Sequence, residues 1–212
     1  MPLRPIKALT DLIKSNIMSN MVIVEVGTHS GDTSLDYLPI LKSINGKSIL
    51  IDWFLGSEGV VGPHAQGLYT HDQLLDMLKV RIQQIGCEDM VAIYDCSSLE
   101  AATRIDDDSI DICFIDADHR YEHVKKDIMA YLPKVKENGF LCGHDCEGFK
   151  YVNTFSSEEL NTDYCHRGSC HAGVVQAVYE SFGNDVSLVA DPYGQNVPIW
   201  IHKKKHISRY SL

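Results

Sequence analysis

Two short stretches of this chain hold the residues best able to move a proton or hold a cation. The first, Asp116-Ala117-Asp118-His119-Arg120-Tyr121-Glu122, follows the apolar run Asp111-Ile112-Cys113-Phe114-Ile115. The second, His144-Asp145-Cys146-Glu147, follows Asn138-Gly139-Phe140-Leu141-Cys142-Gly143. Carboxylates gathered at the ends of buried strands are costly unless a cation or a hydrogen-bond donor neutralises them. A divalent ion that prefers oxygen, such as Mg²⁺, would do so and keep positions open for substrate oxygens. Of the two candidate bases, Asp118 and His119, histidine releases its proton near neutral pH without special tuning and is preferred. Asp118 could act where metal coordination has already acidified the group that loses the proton. The competing structural role is capping of a helix that starts near Tyr121, with Asp116 on its N-terminal amides.

Such residues need a scaffold that brings strand ends together. Apolar strand candidates fall at 21–26, 47–52, 90–95, 110–116 and 138–144, and helical candidates at 6–18, 31–44, 70–86, 97–104, 120–135 and 171–183. Short buried strands alternating with helices predict a parallel sheet covered on both faces, doubly wound through right-handed crossovers. Two further strands, 186–190 and 197–203, are joined by Asp191-Pro192-Tyr193-Gly194-Gln195-Asn196, which keeps them local and makes the final strand antiparallel. One domain over 1–212 is expected, with substrate-covering insertions near 54–69 and 146–170. Loops of that length in a compact domain are more often lids or binding loops than linkers. Tyr69, His64, His166 and Arg167 are the acceptor contacts they offer.

The stretch Val22-Ile23-Val24-Glu25-Val26-Gly27-Thr28-His29-Ser30-Gly31 is a strand that ends in a glycine-bracketed turn. Glycine tolerates positive φ and close approach, so a nucleotide-like cofactor would lie there, at the carboxyl end of the strand. A dinucleotide turn wants glycine two residues after Gly27, where His29 stands, so an NAD-dependent oxidoreductase is disfavoured. The E-x-G-x-x-x-G form resembles motif I of class I S-adenosylmethionine (SAM)-dependent methyltransferases, which makes Glu25, Gly27, Thr28 and Gly31 cofactor residues. Asp52, at the end of the second strand, is placed to accept ribose hydroxyls, with Trp53 beside the adenosine. By the same resemblance Asp95, Cys96 and Ser97 flank the adenine and Asp116 borders the cofactor. Ser97 or Ser98 has a plain alternative as a helix N-cap.

The phrase Phe114-Ile115-Asp116-Ala117-Asp118-His119-Arg120-Tyr121-Glu122-His123-Val124, with Gly143-His144-Asp145, resembles the macrocin and sugar O-methyltransferase group. The segment from Gly62 to Tyr69 is also similar to that group, and the resemblance spans roughly residues 20–180. It implies a Rossmann-like, doubly wound α/β sheet of seven strands, mostly parallel with an antiparallel final strand. It also implies Mg²⁺-dependent transfer of a methyl group from SAM to a hydroxyl of a small acceptor, a sugar or a natural-product-like alcohol. Asp116 and Asp145 are then the metal ligands. His144 falls where some relatives carry a second carboxylate, which makes the site less hard. A cephalosporin-hydroxylase-like enzyme on the same fold and a non-catalytic SAM-binding module are the rival readings.

Bulk properties narrow the partners. The 212 residues carry a formal net charge of −10, which argues against a nucleic-acid surface. Only Lys203-Lys204-Lys205-His206 is locally basic. No apolar run approaches the roughly 20 residues of a membrane span. The N-terminus has no apolar leader segment, so a cytoplasmic setting is expected. The helical stretch 6–18 could pack on a partner subunit in a homodimer. Seven cysteines follow no framework spacing. Cys113 and Cys142 read as small hydrophobes in strands. Cys165 to His171 is dense in cysteine and histidine, but its C-x4-C pair lacks the second pair of a tetrahedral zinc site and reads as substrate-proximal loop.

Overall fold

The computed structural model describes residues 6–56, 69–190 and 198–205. Its strands are β1 Val22–Val26, β2 Lys47–Asp52, β3 Val91–Asp95, β4 Ile110–Ile115, β5 Val135–Gly143, β6 Ser187–Ala190 and β7 Pro198–Lys203. The helices are α1 Lys7–Ser15, α2 Ser34–Ser43, α3 His71–Gln84, α4 Ser98–Ala102, α5 Tyr121–Tyr131, α6 Ser157–Leu160 and α7 Ala172–Phe182. The strands form one sheet in the order β3-β2-β1-β4-β5-β7-β6. The first five are parallel, and β7 runs antiparallel between β5 and β6. The mostly parallel, doubly wound sheet with an antiparallel last strand is therefore the observed architecture.

Two apolar clusters account for the two helical layers. On one face Leu9 and Ile13 of α1, Tyr37, Leu38 and Leu41 of α2, and Leu74 and Leu78 of α3 cover Ile23, Leu50, Ile112 and Phe114. On the other, Ala101 of α4, Val124 and Ile128 of α5, and Val174, Val175 and Val178 of α7 cover Val24, Val26, Cys113 and Ile115. Every residue of β4 is buried, as a central parallel strand covered on both sides requires. Cys113 and Cys142 are fully buried in it and in β5. α1 buries Ala8, Leu9, Thr10 and Ile13 within its own chain, and Ile17 and Met18 just beyond it are exposed.

Parallel pairing fixes which ends meet. Val26 aligns with Ile51 and with Ile115, Asp52 with Asp95, and Ile115 with Gly143. The turn at Gly27 and the residues after β2, β3, β4 and β5 thus share one edge of the sheet. The long loop after β5 contains α6, opened by a Ser156–Glu159 capping box that the sequence reading passed over. Residues 57–68, most of the expected first insertion and including His64, lie outside the described residues, as does the loop expected at 191–196. Among the described residues no helix is long and apolar enough to cross a membrane.

Candidate active site

The glycine turn is built from within. Gly27 has φ +90°, and a Cβ there would stand 2.1 Å from the Asp116 carbonyl oxygen, so bare backbone is needed for β1 and β4 to approach each other. The N–H of Gly27 donates to the Ile51 carbonyl at 2.8 Å, and that of Gly31, at φ +86°, donates to the Thr28 carbonyl at 2.8 Å. His29 also has positive φ, +47°, and its N–H donates to Asp52 Oδ2 at 2.7 Å. Asp52 Oδ1 accepts the Phe54 N–H at 2.7 Å, so this acid ties two loops together before it meets any ligand. Each of its oxygens keeps a further lone pair for a ribose hydroxyl. Burial raises the Asp52 pKa, against the lowering by those two N–H groups.

Several expected cofactor residues have intramolecular partners. Glu25 is buried, its Oε2 accepting the hydroxyls of Ser34 at 2.7 Å and Tyr37 at 2.8 Å. Burial pushes its pKa up to about 8, so it is largely protonated at neutral pH. The carboxyl group therefore fastens β1 to α2, and direct contact with a cofactor does not follow from its strand-end position. Thr28 is likewise buried, its hydroxyl 2.9 Å from that of Ser34. Asp95 pairs with His71 Nε2 at 2.9 Å. Ser97 accepts the Glu100 N–H at 3.2 Å and is the N-cap of α4, the plain alternative that its sequence allowed. Cys96 is half-buried, its thiol pKa raised by burial, and Trp53 is exposed.

The catalytic candidates converge at the ends of β4 and β5. Asp145 has φ +62°, a left-handed backbone that aims its buried carboxylate back toward β4. Its Oδ2 lies 3.1 Å from His119 Nε2, and its Oδ1 lies 3.1 Å from His144 Nδ1 and 3.6 Å from His171 Nδ1. Asp116 Oδ1 is 3.7 Å from His119 Nε2 and 3.8 Å from His144 Nδ1. His119 Nδ1 is held by Asp163 Oδ1 at 2.7 Å. Its Nε2 is buried beside these carboxylates and has no hydrogen-bond partner.

Charge follows from that crowding. Burial lowers the His119 pKa, but Asp116, Asp163 and Asp145 outweigh it and the net shift is well upward. The same competition, won by Asp116 and Asp145, pushes His144 up to about 9. Asp145 moves the other way: burial raises its pKa, but its three imidazole neighbours drive it below the usual carboxylate range. Asp118 is held differently. Arg120 Nε donates to its Oδ1 at 3.0 Å, Arg120 Nη2 donates to its Oδ2 at 2.5 Å, and the Arg120 N–H donates to Oδ1 at 3.0 Å. Burial raises the Asp118 pKa, but these bonds prevail and lower it. An acid so stabilised as a carboxylate is a weak base, and its contact with the Arg120 N–H at the start of α5 realises part of the capping role. Geometry thus gives Asp118 and His119, neighbours in sequence, different partners: Arg120 for the one and Asp163 for the other.

Asp163 and Gly173 were missed as parts of this site, and Arg120, Glu147 and His171 stood in stretches singled out from the sequence without a role of their own. His171 lies at the end of the Cys165-to-His171 cluster, whose density was the one signal available. Its N–H donates to Glu147 Oε2 at 3.0 Å, and its Nδ1 lies 2.6 Å from Glu147 Oε1. The backbones of Cys165 and Cys170 exchange both hydrogen bonds, closing the loop that carries His166 and Arg167. Arg167 is engaged with Glu159, and His166 packs its ring edge-on against Tyr164. A Cβ on Gly173 would lie 2.2 Å from the His119 carbonyl oxygen and 2.4 Å from the Tyr121 nitrogen, so α7 docks on the catalytic turn through bare backbone. Gly173→Ala is expected to destabilise the fold by about 1–3 kcal/mol through overpacking and to slow turnover, read from denaturant midpoints and steady-state kinetics.

The donors fit a divalent cation in number and placement. Two groups of three, Asp116–His144–Asp145 and His119–Asp145–His171, each have their ligand atoms within 4.8 Å of one another. They fit the all-oxygen shell favoured by Mg²⁺ less well, since imidazoles outnumber carboxylates.

A family model described as a methyltransferase domain matches residues 24–146, more than half of the chain. No curated protein sequence matches it. Among solved structures, the O-methyltransferase TomG from Streptomyces achromogenes, involved in tomaymycin synthesis and in complex with SAM, is 15% identical, with a TM-score of 0.64 over 93% of this chain and 78% of that one. An rRNA methylase from Streptococcus thermophilus is 12% identical, with a TM-score of 0.60 over 97% of this chain and 99% of that one. The methyltransferase PaMTH1 from Podospora anserina, bound to S-adenosylhomocysteine (SAH), is 14% identical, with a TM-score of 0.54 over 87% and 72%. At such identities these structures establish the fold, and the family match carries the classification. The chain belongs to the methyltransferase-domain family and is a class I SAM-dependent methyltransferase.

Proposed function

We propose that this enzyme transfers the methyl group of SAM to a hydroxyl of a small acceptor, a sugar or natural-product-like alcohol, with metal assistance and His119 as the base. The observation that carries the reading is the His119 imidazole, anchored by Asp163 and with its buried, unpartnered Nε2 facing Asp116 and Asp145. Asp116, Asp145 and His144 would hold the cation, which the resemblance implies is Mg²⁺, and a bound cation acidifies a nearby hydroxyl. His119 Nε2 accepts the hydroxyl proton once the negative charge of Asp116 and Asp145 is offset. The acceptor oxygen then attacks the methyl carbon in line, an O–C bond forms, and the C–S bond breaks with its electron pair passing to sulfur as SAH leaves. Positioning of nucleophile and methyl group supplies much of the acceleration.

In this reading SAM lies along the edge formed by the Gly27 turn, Asp52 and Asp95, with Trp53 against the adenosine. The acceptor approaches from the loop after β5. A small molecule is favoured over nucleic acid because the net charge is −10. A cytoplasmic setting and a homodimer through Ile17 and Met18 belong to the same proposal, the latter tested by light scattering. The activity test uses methyl-labelled SAM with a panel of hydroxylated sugars and polyketide-like alcohols, with an rRNA fragment as a comparison. Calorimetry with SAM is expected to show binding, and label is expected on acceptor oxygen. Label on RNA, on nitrogen or on carbon would overturn the acceptor class, and binding without any transfer would favour the hydroxylase-like or binding-module reading.

A further inference from the structure

Three imidazole nitrogens surround the Asp145 carboxylate, at 3.1 Å from His119, 3.1 Å from His144 and 3.6 Å from His171. Asp116 is the other carboxylate in the two ligand groups. Asp163 stands behind the His119 imidazole, on its Nδ1, whereas Glu147 shares the His171 Nδ1 that faces Asp145. An acid behind an imidazole fixes its tautomer and raises the basicity of its other nitrogen, an arrangement common around metal-ligating histidines. For His119 that other nitrogen is the buried Nε2, the base of the reading above, which borders the cluster without a hydrogen-bond partner and is left out of the ligand set. The Asp145 side chain is only 9% exposed and is held there by a left-handed backbone.

Mg²⁺ takes oxygen ligands in near-octahedral geometry and keeps several waters. Imidazole instead suits first-row transition ions, and mixed imidazole and carboxylate sets are typical of Fe²⁺ and Zn²⁺ sites. Seen from Asp116–His144–Asp145, one ligand in three is nitrogen, and the imidazoles of His171, just before α7, and of His119, in the turn after β4, line the same space. We propose that this site is built for a first-row transition ion of the Fe²⁺, Co²⁺ or Zn²⁺ class in place of Mg²⁺, with His144 as the ligand that sets the preference. The proposal rests on the metal-assisted reading above for the ion's role, but not for its binding.

The full-length chain, stripped of metal, is titrated with Co²⁺, followed by visible absorption and calorimetry, and challenged with Mg²⁺. Wild type is compared with His144→Asp, which restores a carboxylate at that ligand. The expected result is a Co²⁺ complex that excess Mg²⁺ fails to displace. His144→Asp should shrink the Co²⁺-over-Mg²⁺ preference by about 10–100-fold, the range by which even outer-shell changes move metal affinity. An unchanged ratio, displacement by equimolar Mg²⁺, or binding of neither ion overturns the proposal. If His144→Asp does not fold, pulsed electron paramagnetic resonance of the wild-type Mn²⁺ complex decides, since imidazole ligation must give ¹⁴N coupling and its absence refutes the assignment. None of these readouts needs SAM or an acceptor. Failure of methyl transfer to oxygen would sink the functional reading and leave the metal result standing.

Discussion

Replacing His119 with alanine is expected to lower kcat for methyl transfer by about 10²–10⁴-fold, the usual worth of a positioned base, while SAM affinity stays unchanged. Its imidazole has an orienting carboxylate on one nitrogen, Asp163 at 2.7 Å, and its other nitrogen is buried without a hydrogen-bond partner. The partial control is Asp118→Asn. Arg120 already holds Asp118 as a carboxylate, so this variant is expected to retain most turnover, with any cost appearing in thermal stability. Steady-state kinetics on both variants, with SAM binding measured by calorimetry, check the assignment. The reverse outcome, with His119→Ala active and Asp118→Asn dead, would transfer the base role to Asp118.

The second large effect lies in the core. Glu25 is fully enclosed between β1 and α2, and burial raises its pKa from 4.5 to about 8 against the lowering by the Ser34 and Tyr37 hydroxyls. The folded state therefore keeps a proton that the unfolded chain releases above pH 4.5. Stability falls wherever the native state binds more protons than the unfolded state. The contribution of Glu25 is thus fully present below pH 4.5, declines between pH 4.5 and about 8, and is flat above that. The span is on the order of 5 kcal/mol, from the conversion of pKa shift to free energy. Glu25→Gln imitates the protonated form and removes this dependence. Denaturant unfolding should show the variant gaining on wild type steadily from pH 5 to about 8, and a constant difference across that range would refute a neutral Glu25.

Much of the scaffold was legible because its signals are local. The apolar run of β4 is buried from Ile110 to Ile115, as its unbroken pattern implies. Parallel pairing then sets the residues after β1, β2, β4 and β5 along one edge, so Gly27, Asp52, Asp116 and Asp145 were identifiable as edge residues without knowing any contact. Roles were less legible than positions. Asp52, Asp95 and Ser97 are where the pattern puts them, yet each already has a partner in His29, His71 or Glu100. A strand-end acid carries no mark of which neighbour it will meet. Glu25 shows the point most sharply, since a motif position that suggests a cofactor contact is filled by a protonated acid bonded to Ser34 and Tyr37.

The sequence by itself determined the order of strands and helices, the shared edge, and the chemistry present at the ends of β4 and β5. Those follow from hydrophobic period and from residues a few positions apart, where chain connectivity leaves little freedom. Only the tertiary structure showed that Arg120 holds Asp118 while His119 is held by Asp163, and enlarged the cluster around Asp145. Asp163 reaches His119 across 44 positions, and Glu147 meets His171 across 24. Contacts at such separations depend on how the loop after β5 folds back and on how closely Gly173 lets α7 approach the catalytic turn. The imidazoles and carboxylates were visible as letters, but their protonation and their capacity to hold a metal depend on distances of about 3 Å that only packing creates.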